Sequence, residues 1–208
     1  VIYLPLLFLI KTLLLFSLDM HEIRSKPRCI PRSEPLNERG ENVLDILALR
    51  QLKDGKLPGR IEYAVKNYFG GRLYFKDMNL YFYDLERRVE YSKEHLPEGL
   101  LKVLVILTAL EQDPAILLID EIENSLHPEL LEFIISILRE ECKGCVFVTT
   151  HSPVVIDLAK PEEVFIFKPG EKGIRVRNLT EYKSKEELTE ELKELGISLG
   201  EKVLYGLT

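Results

Sequence analysis

Five apolar residues lead directly into two carboxylates at residues 115–121, AILLIDE. Pro114 precedes the apolar run. The length and aliphatic composition of the run are typical of a central strand in a parallel sheet. Side chains that bind ligands in such sheets lie at the carboxyl ends of the strands. The sequence therefore predicts an α/β fold with Asp120 and Glu121 at the binding edge of its sheet.

Two interpretations fit this pair of acids. In the first, the segment is a Walker B strand: Asp120, which ends the strand, holds Mg²⁺, and Glu121 orients and deprotonates the water that attacks a γ-phosphate. In the second, a core strand is followed by two solvated acids. The residues that come next favour the first interpretation.

A second strand with a polar end follows in the same β-α-β unit. Residues 129–141 have the apolar periodicity of an amphipathic helix, and residues 146–150, VFVTT, form the next predicted strand. A crossover of this length joins parallel neighbours, so His151 is expected on the same edge as Asp120 and Glu121. A histidine there suits a γ-phosphate sensor better than a simple polar cap.

The order of these motifs resembles that of a known family. The segments LLIDEIENSLHPELLEFI (residues 117–134) and VTTHSP (residues 148–153) are similar to the AAA-domain proteins of the ABC/SMC-like ATPase class, with RecF-like and OLD-like relatives. The resemblance covers roughly Leu18 to the C-terminus. It implies the C-terminal half of an ABC-type, parallel-sheet P-loop NTPase core, with a helical insertion and antiparallel edge strands.

The resemblance also implies cofactors, partners and residue roles. ATP and Mg²⁺ are the expected cofactors, with Asp120 as the Mg²⁺ ligand, Glu121 as the catalytic base and His151 as the switch histidine. Asn124 and Ser125 fall in the D-loop and are expected to contact nucleotide. The expected assembly is a head-to-head homodimer with nucleotide at the interface.

A signature-like turn precedes the helix predicted over residues 100–111. In the ABC class, the serine and glycine of this motif and the helix N-terminus meet the γ-phosphate bound by the opposite protomer. Glu98 and Gly99 match the motif and are therefore expected to bind nucleotide. Pro97 stands in the place of the serine, which removes one hydroxyl and one backbone N–H from the phosphate contact.

The phosphate-binding loop GxxxxGK[ST] is absent from the 208-residue sequence. In the resembled family this loop lies well before Leu18, so the Walker A half is expected to be missing from this chain or supplied by a separate chain. The chain alone is expected to bind ATP poorly. Two alternatives remain: a catalytically inactive scaffold or interaction protein that keeps the ATPase fold, and a membrane-tethered module that uses Val1–Leu18.

Three parts are predicted along the chain. Residues 1–39 form an apolar N-terminal segment and a connector from an incomplete nucleotide-binding lobe. Residues 40–95 form the helical insertion and a small antiparallel sheet, and residues 96–208 form the ATPase core with the signature, Walker B and switch-histidine motifs. Val1–Leu18 has Lys11 as its single charge and is expected to be a buried helix or strand rather than a membrane span.

Several local expectations accompany this division. Residues 19–39 contain three prolines and are predicted to form an extended connector. The aromatic residues of 73–91 are expected in a small sheet packed on the core, although they could also form a stacking platform. Residues 163–168 and 174–178 are expected as strands, the second at an antiparallel edge, and Ser184 is expected to cap the helix that follows.

Composition narrows the functional class and the compartment. The net charge of −6 does not indicate nucleic-acid binding, although a local basic face remains compatible with it. Three cysteines are an odd number and imply no disulfide framework, which fits a cytoplasmic protein. Cys142 and Cys145 are interpreted as a helix end and a strand start, with Gly144 as the helix C-cap rather than part of a zinc site.

Overall fold

The computed structural model of this chain describes residues 12–15, 18–170, 173–181 and 183–205. The strands are β1 (Thr12–Leu15), β2 (Gly71–Lys76), β3 (Asn79–Asp84), β4 (Val89–Ser92), β5 (Ile116–Ile119), β6 (Cys145–Val148), β7 (Phe165–Gly170) and β8 (Gly173–Asn178). The α-helices are α1 (Met20–Ser25), α2 (Val43–Asp54), α3 (Gly59–Phe69), α4 (Glu98–Leu110), α5 (Pro128–Glu141), α6 (Pro153–Leu158), α7 (Lys185–Leu195) and α8 (Leu199–Leu204). Short 3₁₀ turns lie at Lys93–His95, Pro161–Glu163 and Leu179–Glu181.

A parallel sheet of order β1-β5-β6 holds the acid-bearing strand in its centre. Ile119 of β5 pairs with Val148 of β6, and the same strand pairs with β1 on its other side. The predicted β-α-β unit is therefore confirmed as β5-α5-β6. β1 confirms the strand alternative for residues 12–15, and the rest of the predicted apolar segment before Leu18 lies outside the described residues.

The helix α4 forms the centre of the main core. Every residue from Gly99 to Leu110 is buried, and the helix contacts α1, α2, α3 and α5. Burial of this nearly continuous apolar run supplies a large share of the hydrophobic stabilisation. Its position matters for the site because the first turn of α4 carries the signature-like residues.

A separate antiparallel sheet of order β2-β3-β4 packs on the same core. Leu80 and Phe82 of β3 are buried members of the core cluster. The expectation of a small packed sheet is therefore confirmed, and Tyr74 and Tyr81 stack on its other face with ring centroids 5.8 Å apart.

A second, smaller cluster lies towards the C-terminus. It is built from four buried residues, Ile156, Leu179, Leu188 and Leu199. The capping box predicted for α7 is confirmed, since Ser184 N donates to Glu187 Oε2 (2.9 Å) and Glu187 N donates to Ser184 Oγ (3.3 Å).

Two local expectations were wrong in detail, and one was confirmed. The connector contains the short helix α1, which Asp19 caps by accepting from Glu22 N and which buries Ile23. The two strands predicted near residues 163–168 and 174–178 are confirmed as the antiparallel pair β7-β8, which forms a sheet of its own, and Ile166 of β7 packs on the C-terminal cluster. Gly144 is not the C-cap of α5, a position that Cys142 occupies.

The glycine at 144 has a packing role instead. A Cβ at this position would lie 2.3 Å from the main-chain oxygens of Pro114 and Ala115. The absence of a side chain lets the chain before β6 approach the start of β5, where Cys145 N donates to Ala115 O (2.9 Å). Among the helices of the described residues, none is both long enough and apolar enough to cross a membrane.

Candidate functional site

The candidate site lies at the carboxyl edge of the parallel sheet. Asp120 and Glu121 follow β5 directly, and Thr149 follows β6. Two backbone hydrogen bonds continue the pairing past the strands, from Thr149 N to Ile119 O (3.0 Å) and from Ile122 N to Thr149 O (3.2 Å). The acids and the segment that leads to His151 therefore share one edge, as the strand order requires.

The hydroxyl of Thr149 links the two acids. Thr149 Oγ1 donates to Asp120 Oδ1 (2.5 Å) and accepts from the backbone N–H of Glu121 (2.8 Å). A hydroxyl can donate once and accept at the same time, so one side chain satisfies both neighbours. This bridge orients the carboxylate of Asp120 and fixes the start of the loop after β5.

The backbone of Glu121 has a conformation that is rare for a residue with a side chain. Its φ of 44° lies in the left-handed region, which costs on the order of 1 kcal/mol and persists where surrounding contacts enforce it. Its carbonyl oxygen accepts from Lys102 Nζ (2.6 Å) and from Asn124 N (3.0 Å). Asn124 Nδ2 also donates to Glu121 Oε2, so the exposed carboxylate has a fixed neighbour.

Lys102 is a residue of the site that was not singled out from the sequence. Its side chain lies in the first turns of α4 and is buried, with 4% of the residue exposed. Burial lowers the pKa of the Lys102 ammonium, and the nearby charges of Glu123, Glu121 and Asp120 partly oppose that shift. The available signal was a lone lysine within an otherwise apolar helix.

His151 reaches the same loop through its main chain. Its backbone N–H donates to Glu123 Oε1 (2.5 Å), while its side chain is exposed. The second carboxylate oxygen of Glu123 is buried and has no hydrogen-bond partner among the described residues. Glu123 was not singled out from the sequence, and it joins the end of β6 to the loop after β5.

The signature-like turn and the predicted D-loop meet within this chain. Ser125 Oγ donates to Glu98 Oε2 (3.2 Å), and a Cβ on Gly99 would lie only 2.3 Å from Ser125 O. Arg24 of α1 lies 3.6 Å from the carboxylate of Glu98. Pro97 begins α4 without a side-chain cap, as expected for a residue that lacks a hydroxyl.

A pocket of about 230 Å³ opens beside this turn. Its wall includes Gly99, Ser125 and His127, together with the aromatic residues Tyr68 and Phe69 of α3. Asp120, Glu121 and His151 do not line it. The predicted site residues therefore form two adjoining groups: Glu98, Gly99 and Ser125 at the turn, and Asp120, Glu121, Asn124 and His151 at the sheet edge.

The donor set suits a metal that completes its coordination with other ligands. Within the described residues, no group of three or more His, Cys, Asp or Glu side chains is arranged to hold a metal by itself. Mg²⁺ commonly takes one or two carboxylates and fills its remaining positions with phosphate oxygens and water. Asp120 offers such a carboxylate at the sheet edge.

Comparison with known families identifies the family of this chain. A family model described as "AAA domain, putative AbiEii toxin, Type IV TA system" matches residues 8–157. This match spans more than half of the chain and includes α4, the acids after β5, and His151. No curated protein matches the chain at a significant level. The chain therefore belongs to this family of AAA domains, whose fold is that of the P-loop NTPases and whose members in general bind ATP.

Proposed function

We propose that this chain is the hydrolysis half of an Mg²⁺-dependent ATPase of the ABC/SMC-like class. The observation that carries the proposal is the convergence of Asp120, Glu121 and the Thr149 hydroxyl at the carboxyl edge of a parallel sheet. Ligands bind at that edge in open α/β sheets. Membership of an ATP-binding family supplies the class of substrate.

The residues present fit Mg²⁺ on chemical grounds. Carboxylate oxygens are the hard donors that this ion prefers, and Asp120 presents one whose orientation the Thr149 hydroxyl fixes. Glu123, whose Oε2 is buried and has no hydrogen-bond partner among the described residues, adds a second negative charge to the same loop. When bound, Mg²⁺ would neutralise part of the charge on the phosphate oxygens.

Glu121 is the proposed catalytic base. Its carboxylate is exposed, so a water molecule can reach it, and Asn124 holds one of its oxygens. In this role Glu121 orients the attacking water and accepts its proton. His151, whose side chain is exposed next to the same loop, is proposed to contact the γ-phosphate.

Glu98, Gly99, Asn124 and Ser125 are proposed to face a nucleotide bound by a second protomer. The contacts between Glu98, Gly99 and Ser125 support this role, because they hold the two segments together as one surface. Glu98, Asn124 and Ser125 are all exposed there. Since Pro97 lacks the serine hydroxyl, the phosphate contact would depend on the backbone N–H groups of the first turn of α4.

The phosphate-binding loop must come from outside this sequence, because GxxxxGK[ST] does not occur in it. The exposure of the parallel sheet supports the proposal that a further layer covers it, since parallel sheets are normally covered on both faces. One face packs on the core through Leu117 and Ile119, whereas on the other face Phe147 is 57% exposed. We propose that a polypeptide carrying the loop covers this second face.

A scaffold without catalytic activity is the second candidate. Pro97 at the signature position and the missing loop favour it.

The family description also names a toxin of a type IV toxin–antitoxin system, which is the biological setting that membership suggests.

ATP turnover by the purified chain tests the proposal. We expect weak nucleotide binding and slow, Mg²⁺-dependent hydrolysis that falls about 10²-fold or more in Glu121→Gln, since removal of a general base typically costs that much. Glu140→Gln, on the exposed side of α5, is the matched control and should keep wild-type turnover. Hydrolysis that survives Glu121→Gln would show that Glu121 is not the base. Absence of ATP binding and hydrolysis in all three proteins fits a half-site without its loop as well as a scaffold, and inactivity that persists after a polypeptide carrying the loop is added would favour the scaffold.

A further inference from the structure

The burial of Lys102 calls for an explanation in a helix of this composition. Residues 99–110 of α4 are all buried, and Lys102 is the one charged residue among them. A buried ammonium loses its hydration, which is unfavourable unless hydrogen bonds and opposite charges replace the water. The partners of Lys102 therefore indicate why the residue is tolerated there.

The partner of the ammonium is the main chain of the proposed base. Lys102 Nζ donates to Glu121 O at 2.6 Å. Because Glu121 has a φ of 44°, its carbonyl points in a direction that an ordinary strand or helix residue would not adopt. The hydrogen bond from Lys102 is thus made to the one acidic residue of the loop with left-handed backbone geometry.

The acidic loop after β5 supplies negative charge around Lys102. The carboxylates of Asp120, Glu121 and Glu123 act on the ammonium. Three acids placed close together repel one another, and a cation behind them reduces that repulsion. Lys102 supplies this charge from inside the core, on the side of the loop that water does not reach.

Lys102 also lies one helical turn after the signature-like residues. Glu98 and Gly99 contact Ser125 at one end of the loop, and Lys102 contacts Glu121 at the other. The first turns of α4 therefore hold both ends of the segment 121–125.

We propose that Lys102 is a positioning residue that fixes the left-handed backbone of Glu121 and thereby sets where its carboxylate points. The catalytic meaning of that carboxylate rests on the proposed function, whereas the anchoring of the backbone does not. Two substitutions separate these statements. Lys102→Met removes the charge and the donor but keeps an unbranched apolar side chain, and Lys102→Arg keeps both the charge and donors.

The chain also offers a matched control. Lys93 is 3% exposed and donates to a main-chain oxygen, that of Arg24, at 3.0 Å. Lys93 also pairs with the Glu94 carboxylate (2.7 Å), so Lys93→Met removes a buried lysine and its partners without removing a hydrogen bond to the 121–125 loop.

Backbone ¹³C and ¹⁵N chemical shifts of Glu121, which report φ, provide a readout that needs no nucleotide. We expect left-handed values in the wild-type chain, in Lys102→Arg and in Lys93→Met, and their loss in Lys102→Met. Unchanged Glu121 shifts in a folded Lys102→Met protein would overturn the proposal.

If Lys102→Met does not fold, a measurement on the unmodified chain tests whether the Lys102 ammonium is held in its buried hydrogen bond. The Lys102 ammonium protons should exchange with water much more slowly than those of Lys143, whose side chain is 80% exposed. Equal exchange rates would overturn the proposal. Where the wild-type chain hydrolyses ATP, Lys102→Met should lower kcat about 10²-fold with KM nearly unchanged, the size of effect expected for a misplaced catalytic group. Absence of turnover in every variant, even with a polypeptide that carries the phosphate-binding loop, would count against the proposed function, while the chemical shifts would still test Lys102.

Discussion

Single side chains hold the loop after β5 in place, and Thr149 is the clearest case. Its hydroxyl both donates to Asp120 and accepts from the N–H of Glu121. We expect Thr149→Val, which keeps the shape of the side chain, to lower the free energy of unfolding by about 1 kcal/mol, because two hydrogen bonds are lost and water can replace part of them at this exposed residue. Urea denaturation measures this change.

Thr108→Val is the control for that substitution. Thr108 lies in the buried part of α4, and its hydroxyl has no hydrogen-bond partner among the described residues. Loss of a buried, unpartnered hydroxyl should leave stability unchanged or raise it. A destabilisation of Thr108→Val equal to that of Thr149→Val would mean that the bridge contributes nothing specific.

Gly99 provides a steric prediction at the same scale. A Cβ there would lie 2.3 Å from Ser125 O, a main-chain atom that cannot move without its loop. We expect Gly99→Ala to destabilise the chain by about 1–3 kcal/mol, the usual cost of overpacking. Gly59→Ala is the control, because a Cβ there meets nothing within 4 Å and Gly59 opens a helix. Thermal unfolding of both variants makes the comparison, and equal melting temperatures would refute the predicted clash.

Helices and strands of this fold could be predicted from the sequence where the local sequence pattern is strong. β5, α5 and α7 are predictable because an apolar run, a 3.6-residue period and a capping box each determine them locally. α1 was missed because it is only six residues long and is followed by a proline-rich segment. The sequence predicts β7 and β8 as strands but not that they form a separate sheet, since sheet membership depends on contacts between residues distant in sequence, such as that of Ile166 with the C-terminal cluster.

The site shows the same division between local and tertiary information. The two acids after β5 are visible in the sequence because they interrupt a strand. Lys102 and Thr149 are not, since their roles depend on which backbone atoms lie opposite them in the folded chain.

An ion pair joins α5 to the turn before β7. Arg139 Nη1 and Nη2 contact the two carboxylate oxygens of Glu163 at 2.9 Å each. This hydrogen bonding, with a backbone contact from Lys160, lowers the pKa of Glu163 from 4.5 to about 2. Because the folded-state pKa lies below the unfolded value, the resulting stability is present above about pH 4.5 and is lost as the pH falls towards 2.

Glu163→Gln should remove this pH dependence. The pair is largely exposed, so we expect a loss below about 1 kcal/mol near neutral pH and a difference from wild type that shrinks on acidification. Denaturation curves at several pH values test this, with Glu140→Gln, on the helix that carries Arg139, as the control. A difference that grows as the pH falls would contradict the assignment.

At the scale of the whole molecule, the parallel sheet has one face in the core and one face towards solvent. The exposed side chains of Cys145 and Phe147 lie on the second face. The further layer proposed above would pack on this second face, since parallel sheets are normally covered on both faces.

The reactivity of the three cysteines can test which parts of the chain are exposed, because each cysteine lies in a different environment. Cys145 is exposed on β6, Cys142 is half-buried, and Cys29 is buried in the main core, where burial and Asp45 raise its pKa to about 11. Since the thiolate is the reactive form, alkylation near pH 8 should modify Cys145 first and leave Cys29 intact until the chain unfolds in urea. Mass spectrometry of the modified protein follows each site, and Cys145→Ser should remove the fast phase. Protection of Cys145 that increases with protein concentration would indicate that a second copy covers the face, and alkylation of Cys29 at the rate of Cys145 would contradict the core described above.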